Sequence, residues 1–182
     1  MTYEAFLDSI PEYAKDLRLN LTSLLKQAEL TEQQTWGTVI AAAMGARHAR
    51  LTAILTTEAE KFATPATQHS AKTAASVMGM NNVYYRFSHM FQDDTYSSIP
   101  ARLRMNGIRT HGGDPVDFEL FCTVVSAINN CSMCVTSHER VLREKGVAKE
   151  SIAAAVRLGA VIHALALVFD SDPALIGPSL IT

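Results

Sequence analysis

No stretch of this chain alternates apolar and polar residues with the β-branched bias of a half-buried strand. Apolar residues recur at steps of three and four instead, the spacing that draws a stripe along one side of a helix. From Pro11 to Gln27 the positions Tyr13, Leu17, Leu21, Leu24 and Leu25 form such a stripe. A chain of this kind buries its apolar residues by packing helix on helix, so the expected fold is all-α. "TEQQ" at Thr31 to Gln34 has the form of a capping box and opens an alanine-rich helix to about Ala46. Further helices are expected at about 48 to 62 and, just after Pro65, at about 66 to 80. The turn-rich segments from Met90 to Pro100 and from Arg109 to Pro115 read as loops. Asp114 and Pro115 supply an N-cap and a first helical residue for a helix to about Asn129. Another runs from about Cys131 to Lys145 and stops at Gly146, and the last covers about Ser151 to Phe169, leaving a tail.

A length of 182 residues with 48% hydrophobic content suits one compact domain over 1–182 or two small packed halves. Within it lies an internal echo: "WGTVIAAAMGARHA" (Trp36 to Ala49) and "FCTVVSAINNCSMC" (Phe121 to Cys134), 85 residues apart, share an apolar pattern. Duplicated helical hairpins, over about 31–86 and 115–169, are the natural reading. Where the second copy has Cys131 and Cys134, the first has Ala46 and Ala49, so packing of that element does not require thiols.

Sixteen Lys+Arg against eighteen Asp+Glu give a formal net charge of -2, and no basic run tracks a phosphate backbone, so no nucleic-acid partner is expected. The first residues, "MTYEAFLDSIPEYAKDLRLNL", have neither the charge pattern nor the apolar run of a signal or transit peptide, and the expected location is the cytoplasm. The most apolar run, Leu158 to Phe169, spans twelve residues with His163 in its middle. A bilayer needs about 20, so the run reads as a buried core helix, and His163 as a core histidine with its polar atoms satisfied.

The chemistry concentrates in "NNCSMCVTSHER", Asn129 to Arg140. A reducing cytosol makes a close CxxC pair metal-binding or catalytic more often than a structural staple. At a helix start the unpaired N–H groups and the macrodipole favour a thiolate. Cys131, Cys134 and His138 fall along one face of one helix, where an imidazole can take a thiol proton near neutral pH. Glu119, on the preceding helix, reads either as the carboxylate that orients His138 or as an acid complementing its own helix dipole. Zinc is a rival reading, with Cys122, His111 or His163 as a fourth ligand, although no second paired motif exists. Two thiols that merely pack are a third. Cys122 alone reads as an inert core residue, and His48, His69, His89 and His111 show no partner pattern.

The segments "PEYAKDLRLNL", "LTEQQTWGT", "MGMNNVYYR", "LRMN" and "FELFCTVVSAINNCSMCVTSHERVLREKGV" resemble the AhpD-type alkyl hydroperoxide reductases of the carboxymuconolactone decarboxylase-like superfamily. The resemblance runs from about Pro11 to about Leu167, and Glu119, Cys131, Cys134 and His138 match its most specific element in type and spacing. It implies an AhpD-like all-α fold, usually a homotrimer. It also implies an antioxidant enzyme with no bound cofactor, which reduces hydroperoxides, regenerates an AhpC-like peroxiredoxin, and is recharged by dihydrolipoamide-bearing proteins. In that scheme Cys134 forms the sulfenic acid or mixed disulfide, Cys131 donates a proton and resolves it, and Glu119 and His138 relay the proton. One departure stands out: relatives commonly have His just before the second cysteine, where this chain has Met133, whose thioether carries no proton. The alternative class is a helical redox-sensing or binding module whose CxxC switches conformation without turnover; the decarboxylases of the same fold would leave the cysteine pair without a purpose.

Overall fold

A computed structural model describes residues 1–91, 95–172 and 175. Residues 92–94 of the expected Met90–Pro100 loop, and 173–174 and 176–182 of the tail, lie outside the described residues. Nine α-helices are present among the described residues: α1 Tyr3–Asp8, α2 Lys15–Leu24, α3 Glu32–Ala46, α4 Ala49–Ala59, α5 Pro65–Ser88, α6 Gly107–Thr110, α7 Pro115–Ile128, α8 Ser132–Glu144 and α9 Lys149–Ser171. No strand occurs among them, and the all-α expectation holds.

Local chemistry sets the helix starts. Thr31 accepts from the Gln34 N–H at 3.2 Å while the Gln34 side chain accepts from the Thr31 N–H at 3.0 Å, the reciprocal pair that "TEQQ" announces. Asp114 accepts from the N–H groups of Val116 and Asp117, and Pro115 is the first residue of α7. Tyr13 leaves the expected stripe: it lies in a 3₁₀ turn, Glu12–Ala14, whose tighter period rotates it away from Leu17 and Leu21. It is 70% exposed, and its hydroxyl donates to Asp172 at 2.7 Å. The short α1 was invisible to periodicity; it is held by Phe6, fully buried, whose ring packs 5.4 Å from that of Phe169.

Two helices form the centre. α3 buries Trp36 through Ala43 in one run, and α7 buries Leu120 through Ser126, so each is enclosed on most sides by the other and by α5 and α9. Gly37 is where they close up, because a Cβ there would run into the Phe121 ring. α5 runs eight residues beyond the expected end at 80, past two asparagines of poor helix propensity. Asn81 and Asn82 are both buried there, so tertiary packing overrides local preference. α9, 23 residues, is long and apolar enough to cross a bilayer by length and composition alone. Its Ile152, Leu158, Ile162, Leu165 and Phe169 are nevertheless packed into the core. His163 is not among them: with Ala160 and Leu167 it lies on the exposed side of α9, contrary to the core placement that its apolar neighbours suggested.

Candidate active site

The hairpin of α7 and α8 turns through a single left-handed residue. Asn130 has φ 54, its N–H donates to the Ala127 carbonyl at 3.0 Å, and the Cys131 N–H donates to the Ser126 carbonyl at 3.0 Å. These are the two bonds of a Schellman C-cap, and Asn, whose short side chain tolerates this region, occupies the position where Gly is commonest. The next residue is at once the end of that motif and the N-cap of α8: Cys131 accepts the first intrahelical bond, from the Val135 N–H at 3.0 Å. Its side chain makes no capping hydrogen bond, and the first turn of α8 carries no acidic residue. The positive end of α8 is thus left to the two sulfurs.

Cys131 and Cys134 are joined in a disulfide, with Cα atoms 5.3 Å apart. Both are buried, Cys134 at 5% exposure and Cys131 at 1%, so Cys134 is the more accessible. One turn further on, His138 Nδ1 lies 2.6 Å from Glu119 Oε2, joining α8 to α7, with side chains 18% and 20% exposed. Glu119 therefore fixes the orientation of the imidazole. The other ring nitrogen, Nε2, sits 3.3 Å from the Met78 sulfur of α5. Among the described residues no hydrogen bond joins His138 to either cysteine of the disulfide.

Behind this pair runs a polar chain that periodicity did not reveal. The fully buried Asn82 donates to Ser126 Oγ at 2.9 Å and accepts from the Asn129 side chain at 3.0 Å, and its amide nitrogen lies 3.8 Å from the Met78 sulfur. Arg86 donates to the Asn129 carbonyl at 2.8 Å, and Arg47 donates to the Asn129 side-chain oxygen at 3.1 Å. Met78, Asn82 and Arg86 stand at four-residue steps on one face of α5. That spacing was present in "MGMNNVYYR", but nothing local said that the face meets the corner between α7 and α8.

Cys122 is free and fully buried on α7, and burial, reinforced by the nearby Glu119 charge, pushes its thiol well above the usual range. His111 lies elsewhere. It stacks on Phe118 with centroids 4.1 Å apart, and its Nδ1 accepts from the Gly113 N–H at 3.2 Å, beside Ser70. His48, without a partner pattern in the sequence, is the N-cap of α4: its ring accepts from the Leu51 N–H at 2.9 Å, and Nε2 lies 3.4 Å from Asp170. Among the described residues no three His, Cys, Asp or Glu side chains gather as a metal site would need.

Fold and site together define a class: an all-helical protein that presents a closely spaced dithiol at a helix start, with a carboxylate-held imidazole one turn away. Residues 96–174 match the model of the carboxymuconolactone decarboxylase family. The chain is 53% identical over 175 residues to the alkyl hydroperoxide reductase AhpD of Solibacter usitatus, covering 95% of this chain and 99% of that one. To the AhpD of Acidobacterium capsulatum it is 47% identical over 173 residues, 94% of each, and to that of Streptomyces coelicolor 44% over 175 residues, 96% and 98%. The chain belongs to the AhpD family of alkyl hydroperoxide reductases.

Proposed function

We propose that this protein is an antioxidant dithiol oxidoreductase that reduces hydroperoxides and regenerates an AhpC-like peroxiredoxin, with dihydrolipoamide-bearing proteins as the electron source. The observation that carries this reading is the Cys131–Cys134 disulfide at the start of α8, one turn from the Glu119–His138 pair at 2.6 Å. In the reduced protein the Cys134 thiolate attacks the terminal oxygen of a hydroperoxide. An S–O bond forms, the O–O bond breaks, and the departing alkoxide takes a proton originating on Cys131, leaving as the alcohol. The Cys131 thiolate then attacks the Cys134 sulfenic sulfur: an S–S bond forms, the S–O bond breaks, and hydroxide leaves as water with a proton passed by His138, which Glu119 orients. Two thiol–disulfide exchanges with a dihydrolipoyl group return the dithiol and release the cyclic disulfide. An oxidised peroxiredoxin is reduced in the same manner, through a mixed disulfide at Cys134.

The greater exposure of Cys134 favours it as the sulfur that meets a partner. The reading carries a homotrimeric, cytoplasmic enzyme with it. The test is turnover: with tert-butyl hydroperoxide and excess dihydrolipoamide, peroxide loss is expected to continue for many equivalents per chain. Consumption that stops after one equivalent would identify a redox switch instead.

A further inference from the structure

Beside the dithiol turn lies a cleft that the redox chemistry does not use. It has a volume of about 270 Å³, and its wall includes Arg47, Arg86, Asn129, Ala75, Gly79 and Val83. Both arginines are exposed, and each spends one donor on Asn129, Arg47 on the side-chain oxygen and Arg86 on the backbone carbonyl. A guanidinium has five N–H donors, so each keeps donors for a ligand. Neither arginine is ion-paired with a carboxylate among the described residues, although the chain as a whole is slightly acidic. Two cations tied to the same residue repel each other, and an anion between them removes that repulsion.

The backbone adds an independent sign. Arg47 has φ 63, the left-handed region that disfavours a side chain, at the end of α3 where Gly or Asn is preferred. The corresponding turn of the other hairpin uses Asn130. Such an outlier in a non-glycine residue is a reason to look for what its side chain does, and here it reaches across to Asn129.

We propose that this cleft binds a small carboxylate carrying a short aliphatic chain, the two guanidiniums taking the carboxylate and the surface around Ala75, Gly79 and Val83 taking the chain. A carboxylate is favoured over a rounder anion because its two coplanar oxygens match the guanidinium fork. The floor has room: a Cβ added at Gly79 would meet nothing within 4 Å.

Hexanoate is the probe, titrated calorimetrically into the disulfide form of the full chain, so that the result is independent of catalytic turnover. Saturable binding is expected, with a Kd on the order of millimolar. Arg86→Gln and Arg47→Gln are each expected to weaken it about tenfold, as the loss of one charged hydrogen bond does. Gly79→Leu, which fills the cleft and leaves both arginines in place, should weaken it at least as much while preserving the helical circular dichroism. Absence of saturation overturns the proposal. So does equal binding of the uncharged hexanamide, unchanged affinity in Gly79→Leu, tighter binding of inorganic phosphate than of hexanoate, or disassembly of the protein by Arg86→Gln when the parent chain binds no hexanoate.

Discussion

Met133 lies just before Cys134, at the position where the family resemblance led to the expectation of a histidine. The imidazole that is present, His138, has Nδ1 on Glu119 and Nε2 beside the Met78 thioether, a weak acceptor, and among the described residues the disulfide form gives it no hydrogen bond to either cysteine sulfur. A histidine at position 133 would add a donor or cation next to the pair, and either favours the thiolate. Met133→His is therefore expected to lower the apparent pKa of thiol alkylation in the reduced protein and to raise peroxide turnover by roughly tenfold at most, since a partly redundant acid–base group contributes less than the usual 10²- to 10⁴-fold. Superimposable alkylation curves would make position 133 a bystander. The proposed roles of the two sulfurs predict an asymmetry: after one equivalent of peroxide, mass spectrometry should find a trapped oxidation product at Cys134 in Cys131→Ser and none at Cys131 in Cys134→Ser. The opposite pattern reverses the assignment. At this scale the sequence was most informative where partners are close along the chain, because Cys131, Cys134 and His138 share one helix. Met78 and Asn82 complete the surroundings from α5, and no spacing rule reaches that far.

The helix ends explain why the elements themselves were legible. Capping box, Asp-Pro start and glycine stop are local chemistry, and all three stand where the sequence placed them. The relation between the two hairpins was less so. The residues echo at an offset of 85, but the caps align at 83: Thr31 with Asp114, Arg47 with Asn130, and His48 with Cys131. By backbone position the counterpart of Cys131 is thus a histidine that caps α4, not Ala46; alanine-rich helices can be slid by two residues without losing their resemblance, whereas a cap cannot. The corner between α6 and α7 gives a pH test. His111 Nδ1 accepts from the Gly113 N–H, so the ring is neutral with its proton on Nε2. Burial holds its pKa below the ordinary 6.5, outweighing the opposing influence of Asp114 and Glu119. A depressed histidine favours the folded state above the unfolded pKa, and that contribution is lost as pH falls through the folded value, since the unfolded chain takes up the proton first. Urea midpoints should accordingly decline below about pH 6.5, and the decline should be shallower in His111→Gln relative to its own value at pH 8. Identical slopes in the two proteins would remove His111 from the account.

At the scale of the molecule, burial is nearly complete inside, and among the described residues the exposed apolar side chains include one aromatic group at and beyond the end of α5. Phe87 and Met90, at the end of α5 and just past it, are 44% and 66% exposed, and the rings of Phe87, Phe91 and Tyr96 pack on one another with centroids 4.6 to 5.5 Å apart. Periodicity could not foresee this surface, because a helix stripe shows that a face is apolar without showing what covers it. Isolated exposed apolar side chains are ordinary, but a contiguous aromatic group is the kind of surface that another chain covers. The proposed trimer would supply that cover in a specific way. A closed three-fold ring is built from head-to-tail contacts, so the aromatic group of each copy meets a different surface of the next, and one substitution damages all three interfaces at once. Sedimentation equilibrium of the parent chain at micromolar concentration is expected to give the mass of three chains. Phe87→Asp, which places a charge where the contact would be desolvated, should shift the distribution to one chain while leaving the helical circular dichroism in place. A parent protein that sediments as a single 19.8 kDa chain defeats the trimer, and a Phe87→Asp variant that remains trimeric puts the interface on another face.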